Sequence, residues 1–257
     1  MLQLKSIAEI AKIAVAGKIV AEVLSELGRM VCPGISTFEL DSAAREIITR
    51  SGAKPSFLGY GQPPFPASIC TSIDEEIVHG IPSRQRILQS GTLISIDVGA
   101  CLDGFHADAA RTFAVGEIDE KRARLMQVTE ECFWKAFAKA QNGARLGDLS
   151  FAVQQHAEAN GYGVVRELTG HGIGRQLHEA PDLPNYGKPG HGMRLETGLV
   201  IAMEPMINQG TRRIVMLDDG WTIVTADGKP SSHYENTFAI TAEGPIILTS
   251  LESGAAI

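Results

Sequence analysis

Two stretches of the chain share a pattern of small and apolar residues at identical spacing. The first, PGISTFELDSAAREIITRSG, begins at Pro33, and the second, NGARLGDLSFAVQQHAEANG, begins at Asn142. The matched positions are Gly34 with Gly143, Leu40 with Leu149, Ala44 with Val153, and Gly52 with Gly161. A repeat of about half the chain predicts one domain over residues 1–257, built from two similar halves at about 1–115 and 116–257.

Each copy is followed by the same two features. Both lead to an HGI triplet, at His79 and at His171, and then to an apolar strand that ends in a carboxylate. TLISID ends at Asp97 and GLVIAME ends at Glu204. Glycine and leucine are common enough for chance matches, but the shared followers favour duplication. A functional site between the halves is then the natural expectation.

Hydrophobic periodicity predicts an α+β fold with helices outside and strands inside. We expect helices near 4–28, 37–51 and 119–141, and strands near 68–72, 92–98 and 107–115. The LDG sequence at 102–104 is typical of a tight turn, so the last two strands should form an antiparallel hairpin. That hairpin brings Asp97 close to Asp108.

Four carboxylates on inward strands need a compensating charge. Glu235 lies in SSHYENTFAI, which the DGKP turn should join to WTIVTA as a further hairpin. Asp97, Asp108, Glu204 and Glu235 would repel one another unless a cation lay between them. His171 could add a nitrogen ligand. The alternative for each residue taken singly is a solvated or salt-bridged carboxylate, such as Asp108 paired with Arg111.

Composition narrows the possible partners and compartment. A net charge of −7 and a pI near 5.5 argue against binding to nucleic acid or anionic membranes. Charged residues interrupt the apolar N-terminal stretch, and no run is long enough to span a membrane. The four cysteines have no CxxC spacing. We therefore expect reduced thiols in a cytoplasmic protein.

Seven motifs spread over the chain resemble those of the type I, bacterial-style methionine aminopeptidases. They are VHGIP at 78–82, SIDVG at 95–99, DGFHADAARTF at 103–113, TGHGIG at 169–174, HEAP at 178–181, AMEP at 202–205 and HYENT at 233–237. This resemblance implies the pita-bread fold, with two pseudo-symmetric halves, an inner antiparallel sheet and outer helices. Only 26 positions separate His178 from Glu204, which leaves no room for the helical insertion of type II enzymes.

The resemblance also implies a metal centre and a reaction. Two divalent ions, of Co, Mn, Fe or Zn, would be held by Asp97, Asp108, His171, Glu204 and Glu235. Asp108 and Glu235 would bridge the ions, and a metal-bridging hydroxide would remove the initiator methionine when the second residue is small. Glu204 would also shuttle protons.

Further residues acquire roles from the same resemblance. His178 would donate to the carbonyl oxygen, and His79 would contact the scissile amide. Both histidines would thus be catalytic and substrate-binding. The methionine pocket would be lined by Tyr60, Phe65, Cys70 and Trp221. Two departures affect this pocket: the GYGQPPFP loop is longer than in relatives by about two residues, and Phe57 replaces a common cysteine. The remaining histidines singled out, His106, His156 and His191, are expected to be packed or surface residues.

Two rival interpretations remain. A prolidase or aminopeptidase P shares the fold and the metal ligands, but commonly has an additional N-terminal domain that we do not expect here. A noncatalytic protein of the same fold would have lost metal ligands, whereas all five are present. The partners expected are N-terminal methionyl peptides and nascent chains, with transient ribosome contact, no nucleic-acid specificity, no membrane and a monomeric state.

Overall fold

The computed structural model describes residues 2–251, and two helices in each half of the chain pack against its sheets. The helices are α1 (Ile7–Met30), α2 (Thr37–Arg50), α3 (Glu120–Phe137) and α4 (Leu146–Ala159). The predicted helices are confirmed, with shifted ends. The first begins at Ile7 because Ser6 forms a capping box with Glu9, and α2 begins after the equivalent pair Ser36 and Glu39.

Fifteen strands are present in the described part, most of them short. In the first half they are β1 (Lys54–Pro55), β2 (Ile69–Ile73), β3 (Glu76–Val78), β4 (Leu93–Leu102) and β5 (Phe105–Ala114). In the second half they are β6 (Gly163–Val164), β7 (Thr169–Gly172), β8 (Glu179–Pro184), β9 (Val200–Met203), β10 (Met206–Asn208), β11 (Ile214–Met216), β12 (Ile223–Thr225), β13 (Ser231–His233), β14 (Asn236–Thr241) and β15 (Gly244–Ile247).

Every strand pairing recorded is antiparallel. One sheet is built on β4, which pairs with β5 along one edge and with β1 and β2 along the other. A five-stranded sheet has the order β15-β14-β9-β7-β8, and two three-stranded sheets have the orders β13-β10-β6 and β11-β12-β3. Helices packed against antiparallel sheets confirm the α+β prediction.

Two strand predictions were incomplete or wrong. The strand carrying Asp97 does not end there, because β4 continues to Leu102 before the turn. The hairpin between WTIVTA and SSHYENTFAI does not form. Instead β12 pairs with β11 and β3, while β13 pairs with β10. The DGKP turn reverses the chain, but the flanking strands find other partners.

The two halves carry matching helices, and each helix pair packs into its own apolar cluster. Helices α2 and α4 are each 14 residues long. The glycines before and after them, matched in the sequence repeat, all have positive φ: Gly34 96°, Gly143 87°, Gly52 78° and Gly161 80°. One core cluster contains buried residues of α1 and α2, and a second contains those of α3 and α4. No helix within residues 2–251 is long and apolar enough to cross a membrane.

Candidate metal centre and substrate pocket

The β4–β5 hairpin brings the first two carboxylates together, as predicted. Leu102 pairs with Phe105 across a turn in which Asp103 and Gly104 both have positive φ. Along the hairpin, Gly99 lies opposite Asp108, and Asp97 lies two positions before Gly99 on β4. Residues two apart on one strand share a face of the sheet, which places both aspartates on the same side.

In the second half, one antiparallel register aligns the two remaining acidic residues. Met203 pairs with Asn236 between β9 and β14, and Met206 pairs with His233 between β10 and β13. Glu204 and Glu235 lie in the short unpaired gap between these two pairings, opposite each other. The imidazole ligand comes from β7, where His171 pairs with Ala202 of β9.

The predicted ligand atoms converge. Ligand atoms of Asp108, His171 and Glu235 all lie within 4.8 Å of one another, and all three residues are buried. Glu204 lies next to this group, with its Oε1 3.8 Å from His171 Nε2. Asp97 lines the same cavity as the other four residues.

Buried oxygens in this cluster lack ordinary partners. Among the described residues, Oδ1 of Asp97, Oδ1 of Asp108 and Oε1 of Glu235 accept no hydrogen bond. Arg111 does not pair with Asp108, because its guanidinium donates to the carbonyl oxygens of Ala110 and Glu235 and to the side chain of Asn236. Unpartnered buried carboxylates are costly, so the residues fit a site for divalent cations.

The pKa shifts have the same physical origin. Burial raises the pKa of Asp97 to about 7. Burial and the charges of Glu235 and Asp97 raise the pKa of Asp108 well above its usual range. Burial and the neighbouring aspartates do the same to the pKa of Glu204, and burial with Asp97 and Glu204 raises that of Glu235. A bound cation would favour the ionised forms.

His171 presents the atom needed for metal binding. Its Nδ1 lies 2.9 Å from the carbonyl oxygen of Gly172, which can only accept, so Nδ1 carries the proton. Nε2 of the neutral ring then has a free lone pair directed toward Glu204. Burial lowers the pKa of His171 to about 3, which keeps the ring neutral near pH 7.

A cavity of about 160 Å³ joins the carboxylates to an apolar wall. It is lined by all of the predicted site residues: Tyr60, Phe65, Cys70, His79, Asp97, Asp108, His171, His178, Glu204, Trp221 and Glu235. Phe57 and Leu177 also line it. Cys70 pairs with Asp97 between β2 and β4, which places the apolar wall directly beside the acidic cluster.

The two other predicted histidines lie at the cavity and have aromatic neighbours. The ring centroid of His178 is 4.2 Å from that of His171, and its Nδ1 is 2.6 Å from the hydroxyl of Tyr60. His79 has a φ of 61°, unusual for a residue other than glycine, and packs edge-on against Trp221 at 5.9 Å. Burial lowers the pKa of His79 to about 4.

The GYGQPPFP loop contributes Tyr60 and Phe65 to the cavity wall. The indole nitrogen of Trp221 donates to the carbonyl oxygen of Pro63 at 3.1 Å. Phe65 packs edge-on against the same indole, with ring centroids 5.2 Å apart. The backbone of Phe65 also exchanges hydrogen bonds with Tyr60 and Gly59. The loop therefore holds both aromatic walls of the pocket.

Sequence reasoning missed two residues near the cavity. Leu177 was not assigned, although it directly precedes His178 of the HEAP motif. His233 was quoted in HYENT without a role, yet its Nε2 lies 3.8 Å from carboxylate oxygens of both Glu204 and Glu235. Residues 233 and 235 are two positions apart in the segment SSHYENTFAI, which the sequence predicts as a strand, so their spacing was a usable signal.

The histidines expected to be packed or surface residues lie outside the cavity lining. His106 Nδ1 is 2.9 Å from the Ser56 hydroxyl, and His156 Nε2 is 2.7 Å from a Glu131 carboxylate oxygen. His191 is exposed.

Comparison with known proteins identifies the family. Residues 11–242 match Metallopeptidase family M24. The chain is 53% identical over 253 residues to a methionine aminopeptidase of Clostridium perfringens, covering 98% of this chain and 100% of the relative. It is 49% identical to methionine aminopeptidase 1 of Bacillus subtilis, covering 91% and 93% of the two chains.

Solved structures support the same assignment. The methionine aminopeptidase of Thermotoga maritima superposes with a TM-score of 0.95 at 42% identity, over 97% of this chain and 100% of the other. The prolidase of Pyrococcus furiosus has a TM-score of 0.77 at 24% identity, over 97% of this chain and 66% of the other, which shows a common fold alone. The chain therefore has the pita-bread fold and belongs to metallopeptidase family M24, among the type I methionine aminopeptidases.

Proposed function

We propose that this chain removes the initiator methionine from nascent proteins whose second residue is small. The cavity supports this proposal, because a buried acidic cluster meets an apolar wall in a space of about 160 Å³, which suits one side chain. Such a wall can hold a methionine side chain while the adjoining peptide bond lies at the acidic cluster.

The five converging side chains would hold two divalent ions, with Co, Mn, Fe and Zn as candidates. These side chains are those of Asp97, Asp108, His171, Glu204 and Glu235. When bound, the ions would supply Lewis acidity to the scissile carbonyl and acidify a water molecule. The unpartnered carboxylate oxygens support this assignment.

His178 would orient the substrate carbonyl. Burial lowers its pKa, so the ring is neutral near pH 7 and carries one N–H. The Tyr60 hydroxyl can donate to Nδ1, which leaves the N–H on Nε2. That N–H would donate to the carbonyl oxygen as negative charge develops there.

His79 and Glu204 would handle the nitrogen and the protons. The neutral His79 ring lines the cavity beside Trp221 and would contact the scissile amide. Glu204 would accept a proton from the attacking water and deliver it to the leaving amine. Cys70 would remain a neutral wall residue, because burial and the charge of Asp97 raise the pKa of its thiol well above the usual range.

The cellular setting follows from the proposed substrate. We propose that the enzyme acts in the cytoplasm as a monomer and makes transient contact with the ribosome, since nascent chains emerge there. The net charge of −7 supports the absence of nucleic-acid specificity.

The decisive test is a comparison of peptides with Mn²⁺-loaded protein. We expect methionine release from Met-Ala and Met-Gly peptides, much slower release from Met-Lys peptides, and little action on Xaa-Pro peptides. Cleavage before proline without release from Met-Ala would instead support the prolidase interpretation. Failure to cleave any of these peptides, with Mn²⁺ bound, would support the noncatalytic alternative.

A further inference from the structure

His233 lies at the edge of the unpaired gap that contains the two second-half glutamates. It ends β13 and pairs with Met206 at the start of β10. Glu204 lies two residues before Met206, and Glu235 lies two residues after His233. The side chain of His233 is 2% exposed, so the imidazole is enclosed between the sheet and the acidic cluster.

The imidazole approaches one oxygen of each glutamate. Its Nε2 lies 3.8 Å from Glu204 Oε2 and 3.8 Å from Glu235 Oε2. The other oxygen of Glu204 faces His171 Nε2, so two imidazoles flank the two oxygens of one carboxylate. Within the described range 2–251, His233 Nε2 has no hydrogen-bond partner. A buried polar nitrogen in this position is costly unless the nearby carboxylates engage it.

Backbone contacts fix the position from which the ring extends. The N–H of His233 donates to the Thr112 hydroxyl at 2.9 Å, and that hydroxyl donates to the carbonyl oxygen of His233 at 2.9 Å. Thr112 is itself held by the Ser95 hydroxyl at 2.8 Å. The first-half hairpin thus anchors the backbone of His233, while the imidazole ring of His233 extends into the second-half acidic cluster.

We propose that His233 is a positioning residue of the metal centre, which holds Glu204 and Glu235 through an Nε2–H donor so that their other oxygens bind cations. Carboxylates that ligate metals are commonly oriented by hydrogen bonds from neighbouring side chains. This inference rests on the proposed function, since it requires those glutamates to be ligands. In this role, His233 contacts the ligating glutamates and does not bind the cation itself.

Mn²⁺ titration of metal-free protein by calorimetry tests the proposal. His233→Met keeps similar bulk but removes the donor, and should weaken Mn²⁺ binding by about 10- to 100-fold. His233→Gln places an amide N–H near the former Nε2 position and should bind Mn²⁺ nearly as well as the wild type. Far-UV circular dichroism verifies that each variant is folded. If His233→Met does not fold, His233→Asn replaces it, because its shorter amide cannot reach the glutamates.

The possible outcomes separate this inference from the proposed function. Wild-type affinity in both His233→Met and His233→Asn would overturn the positioning role while leaving the metal centre intact. An equal loss in His233→Gln and His233→Met would also overturn it, since the imidazole would then be a direct ligand. Absence of Mn²⁺ binding by the wild type would instead overturn the proposed function on which the inference rests.

Discussion

The hydroxyl of Tyr60 forms a hydrogen bond with a catalytic histidine, at 2.6 Å from His178 Nδ1. Among residues 2–251, it is the single polar group of the pocket wall that does so. Removing it by Tyr60→Phe keeps the aromatic wall but frees the ring of His178. The lost hydrogen bond is worth about 0.5–1.5 kcal/mol, which corresponds to a decrease in kcat of about 2- to 13-fold.

Steady-state kinetics on a Met-Ala peptide measure this effect. The value of KM should change little, because the apolar surface remains. Tyr186→Phe is the matched control, since Tyr186 is exposed and does not line the cavity. An unchanged kcat in Tyr60→Phe would show that the hydroxyl does not position His178.

At the same scale, motifs in the sequence predicted the metal ligands and the two catalytic histidines. The five ligands and both histidines lie in recognisable motifs, and all line one cavity. His233 was missed, although it lies in the HYENT motif, because its position depends on tertiary pairing. His233 reaches the glutamates only because β13 pairs with β10, whereas the predicted partner was the WTIVTA segment.

At the scale of elements, a buried carboxylate joins α2 to the start of β2. Asp41 Oδ1 accepts the backbone N–H groups of Ser68 at 2.7 Å and Ile69 at 3.1 Å. Asp41→Ala should lower the free energy of unfolding by about 2–4 kcal/mol, because two buried donors lose their acceptor. Asp41→Asn keeps an oxygen in place and is the matched control.

The same residue gives a prediction of pH dependence. Burial raises the pKa of Asp41 in the folded protein above its usual value of 3.8. The folded state therefore binds the Asp41 proton more tightly than the unfolded state does. Protonation of Asp41 thus contributes stability that is complete below pH 3.8 and is lost as the pH rises through the folded pKa. Denaturant unfolding should show that wild type loses stability relative to Asp41→Asn as the pH rises. A relative gain would contradict this sign.

Two glycines of α1 provide a matched pair of substitution sites that test how closely the helix packs. A Cβ on Gly17 would lie 2.2 Å from the carbonyl oxygen of Leu248, whereas a Cβ on Gly28 would meet the Phe113 ring at 2.6 Å. Alanine improves helix propensity at either position by about 1 kcal/mol. The backbone at Leu248 cannot yield easily, so Gly17→Ala should destabilise by about 1–3 kcal/mol net.

Chemical denaturation of both variants checks this packing argument. Phe113 is only half-buried and can shift, so Gly28→Ala should change stability much less than Gly17→Ala. Equal stability of the two variants would contradict the close approach of α1 to the end of β15.

Element prediction succeeded where local pattern decides structure and failed where partners are distant. The LDG turn and alternation predicted the β4–β5 hairpin and the proximity of Asp97 to Asp108. Helix starts were set by capping sequences that are visible in the chain. The predicted partner of β12 was wrong, because strand propensity identifies a strand without specifying the strand that it pairs with.

At the scale of the whole molecule, the acidic cluster couples metal binding to stability. Cations that bind the folded state at 100 times Kd stabilise it by about 2.7 kcal/mol, which for a chain of this size raises Tm by roughly 5–10 °C. We expect this increase when Mn²⁺ is added to metal-free protein, and its reversal by a chelator.

Two variants make the melting experiment specific. Asp97→Ala should abolish most of the Mn²⁺-dependent increase, because it removes one of the converging carboxylates. Asp218→Ala removes an exposed carboxylate away from the cavity lining and should retain the increase. An identical response of both variants would place the stabilising ion elsewhere.

We propose that side chains from both halves of the chain hold a pair of cations. X-ray diffraction at the manganese absorption edge from Mn²⁺-soaked crystals tests it most directly. We expect two anomalous peaks within coordination distance of the five ligands, Asp97, Asp108, His171, Glu204 and Glu235. Crystals that contain Mn²⁺ but show no anomalous peak among these five side chains would contradict it.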